Sequence, residues 1–215
     1  MALTLPNGAT VHIGELDAEK KVTVATNAAE AVLTANAHGL QNGDFVVLTS
    51  GWGELSGRVF KVGSITTNTF NLVGINTTDV NKFPAGGGLG SFRKVKKWTQ
   101  LTQVMEFTTS GGDQQHYDHG FLEEDFDRQI PTTKSPMSIQ IAVGDDAKLP
   151  GYQAAVAASN SAAETPMMVR LKTGDQLAYI GYLSVNETPT MVRNEGMKIN
   201  MAYSLTGKLN RYAAS

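Results

Sequence analysis

Histidine and carboxylate side chains gather in one stretch of the chain, between residues 110 and 136, where they raise the question of metal or acid–base chemistry. His116, Asp118 and His119 are close neighbours, and Glu123 and Asp125 follow them. The His-x-x-His spacing is not the helical His-Glu-x-x-His pattern of zinc enzymes, and the acids lack the order of an EF-hand calcium loop. Paired carboxylates can serve acid–base catalysis, but acids are too common for a pair alone to indicate an active site. The stretch therefore predicts neither a metal site nor a catalytic site.

Known reactive motifs are missing from the rest of the sequence. The chain has no Cys, which excludes disulfides, thiolate metal sites, iron–sulfur clusters and a cysteine nucleophile. It contains no G-x-S-x-G, P-loop, protein-kinase or deaminase signature. The glycine run at 86–90 lacks the G-x-G-x-x-G order of a phosphate-binding loop, and we interpret it as a hinge or linker. The sequence predicts a protein that is not an enzyme and needs no cofactor.

Charge and composition narrow the class of protein further. The chain has 215 residues, a formal net charge of −2 and a pI of about 6.1, which is not the basic balance of a freestanding nucleic-acid binder. It shows no apolar run long enough for a membrane span and no signal-peptide pattern at its N-terminus, so we expect a soluble cytoplasmic product. Residues 21–97 carry a net charge of +4 and residues 98–146 a net charge of −7. Such blocks are typical of solvated faces, and they also suit a subunit that binds copies of itself.

Period-2 alternation of apolar and polar residues predicts a mainly β fold. Strands are predicted at Phe45–Leu48, Lys94–Thr109, Pro136–Val143, Leu177–Leu183 and Met197–Leu205, among others. One alanine-rich segment breaks the alternation, since Leu149, Tyr152, Ala155 and Val156 recur at helical spacing, and it predicts a short helix near 149–159 that packs on the sheet.

Two single residues of the first β segment have predicted structural roles. His38 precedes Gly39 at a turn and is predicted to be a hydrogen-bonding cap rather than a ligand or base. Trp52 is predicted to anchor a hydrophobic core. Neither residue predicts a binding site.

The segment 110–136 is predicted to be a long loop with a contact surface. It lies between two predicted strands and is too long for a simple hairpin connection. Tyr117, Phe121, Leu122, Phe126 and Ile130 alternate with six acids in this segment, and a disordered tail would lack the aromatics. Apolar anchors surrounded by charge are typical of a surface that binds another protein.

Two parts of the chain resemble phage tail proteins. Residues 98–215 resemble the major tail tube proteins of long-tailed, non-contractile (lambda-like) siphophages, through the order of a strand, the acidic segment Gly120–Arg128, a strand, the helix, a hairpin and the block Asn186–Glu195. Residues 22–95 look like a small β domain common in phage tail proteins, marked by Ala37–Leu40, Asn42–Asp44, Leu55–Phe60 and Asn68–Phe70. The resemblance implies a tail-tube fold, a β-sandwich or half-barrel sheet with one short helix, plus a small all-β domain. The implied division is 1–21 and 96–215 for the tube domain and 22–95 for the small domain, placed on the outside or between subunits.

The resemblance also implies a function and partners. Tube subunits form homohexameric rings in which four strands per subunit join one β-barrel, and the rings stack into a conduit for double-stranded DNA, which passes without sequence-specific binding. The implied partners are other copies of the chain and the tail terminator, tail tip and tape measure proteins, in the virion tail after assembly in the host cytoplasm. The long loop would make the contacts between subunits or rings, through Gly111, Gly112, Asp113, Tyr117, Phe121, Leu122, Glu123, Glu124, Asp125, Phe126, Asp127 and Arg128.

Three alternatives stay open from the sequence. The chain is also compatible with a contractile-tail or secretion-type tube subunit and with another virion component such as a head–tail joining protein. A carbohydrate-binding β protein is a further alternative, although aromatic residues make up only 7% of the chain. A sheath partner would mark the contractile class, whereas stoichiometry and tube formation by the isolated protein would separate a tube subunit from a head–tail joining protein.

Overall fold

The computed structural model describes residues 6–214, and within them the chain is almost entirely β. No helix among these residues is long and apolar enough to cross a membrane. The strands of the first half are β1 (Thr10–Val22), β2 (Val24–Ala25), β3 (Val32–Thr34), β4 (Phe45–Ser50), β5 (Arg58–Gly63), β6 (Thr69–Leu72) and β7 (Gly90–Leu101). The second half contains β8 (Val104–Gly111), β9 (Gln114–His119), β10 (Arg128–Lys134), β11 (Met137–Gly144), α1 (Pro150–Ser161), β12 (Thr165–Arg170), β13 (Gln176–Thr190), β14 (Lys198–Leu205) and β15 (Asn210–Tyr212).

One antiparallel sheet connects nearly all of these strands. Its order is β2-β3-β6-β5-β4-β7-β1-β12-β13-β14-β11-β8, with β15 also paired to β13. The strand β1 lies in the middle, because it pairs with β7 on one side and with β12 on the other. The mainly β fold class is confirmed, and within residues 6–214 the two end strands, β2 and β8, each have one side without a strand partner.

Three hydrophobic clusters pack against this sheet. The first lies within residues 22–92 and contains the largest buried aromatics of that region, Trp52, Phe60, Phe70 and Phe92. The second contains Ile139, Ile141, Ile199, Met201 and Tyr203, together with Ala155 of α1. The third joins β4 and β5 to β12 and β13. Residues 22–95 therefore lie directly against the rest of the chain.

The C-terminal segment strengthens that junction. The Asn210 side-chain amide donates to the Val59 carbonyl at 2.6 Å, and the Tyr212 hydroxyl accepts the Lys61 N–H at 2.9 Å. The Tyr212 ring also meets Phe45 edge to face. These contacts fix β5 to β15 across a long separation in sequence.

The structure confirms the helix and the two structural residues. The helix α1 covers Pro150–Ser161, and Ala155 on its predicted apolar face is fully buried. The His38 ring accepts the Leu40 N–H at 3.0 Å and lies 3.0 Å from the Thr66 carbonyl, so it caps the turn. Trp52 is buried, and its indole N–H donates to the Pro84 carbonyl at 2.9 Å.

Several predicted boundaries are wrong. The predicted strand Lys94–Thr109 is two strands, because Gln103 adopts a positive φ of 57° and ends β7 before β8 begins. The glycine run 86–90 is not a linker, since a side chain at Gly88 would collide with Trp52 and Gly90 already belongs to β7. The segment 110–136 is not an irregular loop, because most of it forms a hairpin of β9 and β10.

Candidate functional site

Four neighbouring strands, β13, β14, β11 and β8, form a sheet with one packed face and one free face. On the packed face, Ile139, Ile141 and Tyr203 join the second hydrophobic cluster. On this side the helix α1 packs against β13, and against β7 and β1 beyond the four strands, and the Ser159 hydroxyl accepts the Val185 N–H of β13 at 3.2 Å. The alternation of strand residues sends the remaining side chains to the opposite, free face.

The free face is polar and nearly uncharged. The register places there Glu106, Thr108 and Ser110 of β8, Ser138, Gln140 and Ala142 of β11, Lys198, Asn200, Ala202 and Ser204 of β14, and Tyr182, Ser184 and Asn186 of β13. Only Glu106 and Lys198 in this set carry a charge. The Ser110 and Ser138 hydroxyls are 2.8 Å apart across neighbouring strands. We call this set the polar face.

The four-stranded sheet has an open edge on each side. The strand β8 is the last strand of the sheet order, so one of its sides has no strand partner within residues 6–214. On the other side, β12 pairs with β13 only up to Gly181, and β14 occupies the opposite side of β13 from Gly181 to Thr190. The second half of β13 thus exposes one side, apart from the hydrogen bond to Ser159. Unpaired strand edges of similar length are a template for pairing with another chain.

The hairpin of β9 and β10 extends away from the body of the protein. These two strands form a separate two-stranded sheet, in which Tyr117 lies opposite Ile130 and Arg128 opposite His119. Every residue of β10 is exposed, as is nearly all of β9. Backbone hydrogen bonding and the contacts between the two strands therefore hold the hairpin together, without a hydrophobic core beneath it.

One face of the hairpin carries a row of rings. The rings of Tyr117 and His119 stack with centroids 6.0 Å apart, and His119 meets Phe121 edge to face at 6.2 Å. Tyr117 is 62% exposed and Ile130 is 50% exposed. An exposed row of apolar rings is typical of a surface that becomes buried in a complex.

The tip of the hairpin combines apolar and acidic side chains. Phe121 is 57% exposed, Phe126 is 72% exposed and Leu122 is completely exposed. Glu123, Glu124, Asp125 and Asp127 lie between and beside them, and the Arg128 guanidinium pairs with the Glu124 carboxylate at 2.6 Å. We call residues 120–127 the hairpin tip.

The predicted contact residues Gly111, Gly112 and Asp113 lie at the base of the hairpin, where they shape the backbone. Gly111 and Gly112 both have positive φ, at 79° and 84°, a conformation that glycine adopts without strain. A side chain at Gly111 would also collide with the Pro136 carbonyl. Asp113 and Ser135 then join the strands through backbone and side-chain hydrogen bonds of 2.9 and 3.0 Å. The two glycines set the direction in which the hairpin leaves the sheet, whereas the tip offers the side chains.

The histidines and acids of the hairpin do not assemble into a metal centre. Within residues 6–214, no three His, Cys, Asp or Glu side chains are grouped closely enough to hold a metal ion. In the body of the protein, burial raises the pKa of Tyr203 well above its ordinary value, and burial, aided by Arg170, lowers the pKa of His12.

Sequence reasoning did not say which strands leave the open edges or which strand residues form the polar face. Alternation defines two faces of a strand but does not say which one packs against the helix. For the hairpin tip, in contrast, the aromatic and acidic composition of the sequence predicts a contact surface, and the apolar residues of that prediction are exposed.

Comparison with known proteins adds an independent finding. A family model described as phage tail tube protein (TTP) matches residues 50–214. The matched region includes the polar face, both open edges, α1 and the whole hairpin. A search of curated proteins finds no significant match. Since the family model covers most of the chain, the protein belongs to the phage tail tube protein family, whose members are structural components of the virion tail.

Proposed function

We propose that copies of this chain close side by side into hexameric rings, and that the rings stack into the tail tube through which double-stranded DNA is ejected. The observation that carries this proposal is the pair of open edges on the four-stranded sheet. Pairing β8 of one copy with the second half of β13 of the next removes both edges, and repetition around a ring continues one barrel.

The polar face is the wall of the conduit in this arrangement. The helix α1 and the second hydrophobic cluster occupy the opposite side of the sheet, so they lie outside the barrel. A wall with many Lys or Arg side chains would bind phosphates through counterion release and would retain DNA. The polar face has one acid and one base among hydroxyl, amide and small side chains, which lets DNA pass without holding it.

The small β domain, for which we propose the bounds 22–95, lies outside the barrel. Its strands β2 to β6 continue the sheet beyond β7 and β1, at the far end of the strand order from β8. The tape measure protein would contact the polar face, and terminator and tip proteins would contact the last rings. The hairpin supplies contacts to neighbouring subunits or rings through Gly111, Gly112, Asp113, Tyr117 and the residues 121–128.

Electron microscopy of the purified protein tests this proposal. Stacked rings are expected from the unaltered chain. The variant Glu123→Lys/Glu124→Lys/Asp125→Lys reverses three acids of the hairpin tip and is expected to stop tube growth. The control Glu19→Lys/Glu54→Lys/Asp79→Lys makes the same change of net charge at exposed positions outside the hairpin, and it should form normal tubes.

Ring formation and the role of the hairpin are contradicted by different results. Unaltered protein that stays monomeric at all concentrations would contradict ring formation. Normal tubes from the variant with the reversed hairpin tip would leave rings in place but remove the hairpin from the contacts.

A further inference from the structure

The hairpin and the β13–β14 turn leave the four-stranded sheet at opposite ends. The hairpin follows Gly111 of β8, which pairs with Met137 at the start of β11. At the other end of β11, Gly144 pairs with Lys198, and Lys198 pairs with Thr190 of β13. The turn 191–197 therefore lies a full strand length, roughly 20–25 Å, from the base of the hairpin.

This turn carries an exposed apolar cluster, as the hairpin tip does. Met191 is 70% exposed, Val192 is 51% exposed and Met197 is 49% exposed. Three apolar side chains on one short turn are more than the scattered surface residues of an ordinary monomer. The flexible methionine side chain also adapts its shape to different neighbours, which suits a contact surface.

The turn 191–197 has no net charge, since it contains one base, Arg193, and one acid, Glu195, but its Arg193 can face the acids of the hairpin tip. Arg193 lies between the apolar residues and forms no ion pair among the residues that the structure describes. Glu195, the acid of the turn, is 3.8 Å from Lys198 and is thus partly neutralised. The hairpin tip carries an excess of acids over Arg128. Attraction of unlike charges sets the orientation of two surfaces, and their apolar contacts become buried.

We propose that the hairpin tip of one copy docks on the β13–β14 turn of a second copy in the next ring. This proposal rests on the proposed stacking of rings and names the receiving surface. The two surfaces differ and lie at opposite ends of one sheet, so their contact is head to tail and repeats without closing. Phe121, Leu122 and Phe126 become buried against Met191, Val192 and Met197.

A competing receiving surface exists on the side of the molecule near β5 and β7. A cleft of about 310 Å³ there is lined by Lys61, Lys94 and Arg170. Lys94 is already paired with Asp44 at 2.5 Å. The cleft attracts acids, but its lining is mostly polar and would leave Leu122 and Phe126 without apolar partners. The turn offers apolar side chains and a base, Arg193, to the apolar and acidic hairpin tip. The cleft offers mainly bases.

Disulfide trapping tests the contact directly, because the chain has no native Cys. The variant Leu122→Cys/Val192→Cys is incubated under assembly conditions with diamide as oxidant and separated on a non-reducing gel. A ladder of covalent multimers is expected, since each copy would bond to one copy above and one below. The matched control Leu122→Cys/Lys61→Cys probes the cleft and should give no ladder. Each single-Cys variant should run as a monomer on the same gel.

Each outcome is decisive. A ladder from the 122/61 variant, or dimers from Leu122→Cys alone, would overturn the docking site. Tubes in the microscope with no 122/192 ladder would also overturn it while leaving the proposed function standing. Absence of both tubes and ladder would overturn the two proposals together.

A second variant measures the same contact without crosslinks. Val192→Asp places an acid opposite the acidic hairpin tip, and it should raise the protein concentration needed for tube growth roughly tenfold. Val80→Asp, an equally exposed position in the small β domain, should leave that concentration unchanged. Equal behaviour of the two variants would contradict the docking.

Discussion

Tyr203 shows how one buried polar atom can hold strands of this sheet together. Its hydroxyl donates to the Thr165 carbonyl at 2.7 Å, which connects β14 to the beginning of β12, and the side chain is 1% exposed. Burial raises the pKa of the phenol well above its ordinary value, so the hydroxyl stays a neutral donor. The same residue lies under the polar face, on the packed side of the sheet.

Removing this hydroxyl should weaken the fold measurably. We expect Tyr203→Phe to lower the free energy of unfolding by about 1 kcal/mol, because the Thr165 carbonyl loses a buried partner. Urea denaturation of the unassembled protein measures this change. Tyr182→Phe, at an exposed ring of the polar face, is the control and should change stability by less than about 0.5 kcal/mol. An equal effect of both substitutions would show that the hydrogen bond is not the cause.

The helix α1 lies unusually close to β7. A side chain at Gly151 would meet the Gln100 carbonyl oxygen and the Leu101 Cα well inside van der Waals distance. The backbone of the helix thus rests on the backbone of the strand, and glycine at this position permits that approach. This contact positions the outer layer over the packed face.

The substitution Gly151→Ala should therefore destabilise the protein, although alanine favours helix formation. Overpacking of this kind typically costs about 1–3 kcal/mol, and we expect a lower midpoint of thermal unfolding. Ala157→Gly, on the exposed side of the same helix, should cost about 1 kcal/mol through helix propensity alone. A higher midpoint for Gly151→Ala would show that the helix can move away from β7 without loss.

The elements that the sequence predicted share a buried face. The strands β11 and β14 alternate Ile139, Ile141, Ile199 and Met201 with polar residues, and α1 repeats its apolar residues at helical spacing. The strand β1 was missed because its second half is mostly charged and exposed, and its pairing with β7 holds it in place. The hairpin strands were missed for a similar reason. They bury neither face, so their sequence has no alternation of apolar and polar residues from which a strand could be predicted.

At the scale of the whole molecule, the hairpin and the sheet body form two distinct sheets. Gly111 and Met137 are directly paired, so residues 112–136 can be replaced by a two-residue Asn-Gly turn that closes β8 on β11. The body loses no core packing in this change, because the hairpin forms its own sheet.

This deletion should separate ring formation from stacking. We expect the free energy of unfolding to change by less than about 0.5 kcal/mol. Single rings should still form through the open edges, but they should not stack. Light scattering after gel filtration gives the mass of the assembly, and microscopy shows its length. Long tubes from the deleted chain would assign stacking to other surfaces, and a protein that fails to fold would show that the hairpin supports the body.

The hairpin lies at one end of the sheet and the β13–β14 turn lies at the other, so the two ends of each copy differ. A filament built from such copies is directional, and its two termini present different chemistry to incoming subunits. Elongation can then proceed at one terminus while the other is blocked by a dissimilar protein. Length control therefore needs to act at only one terminus of the growing polymer.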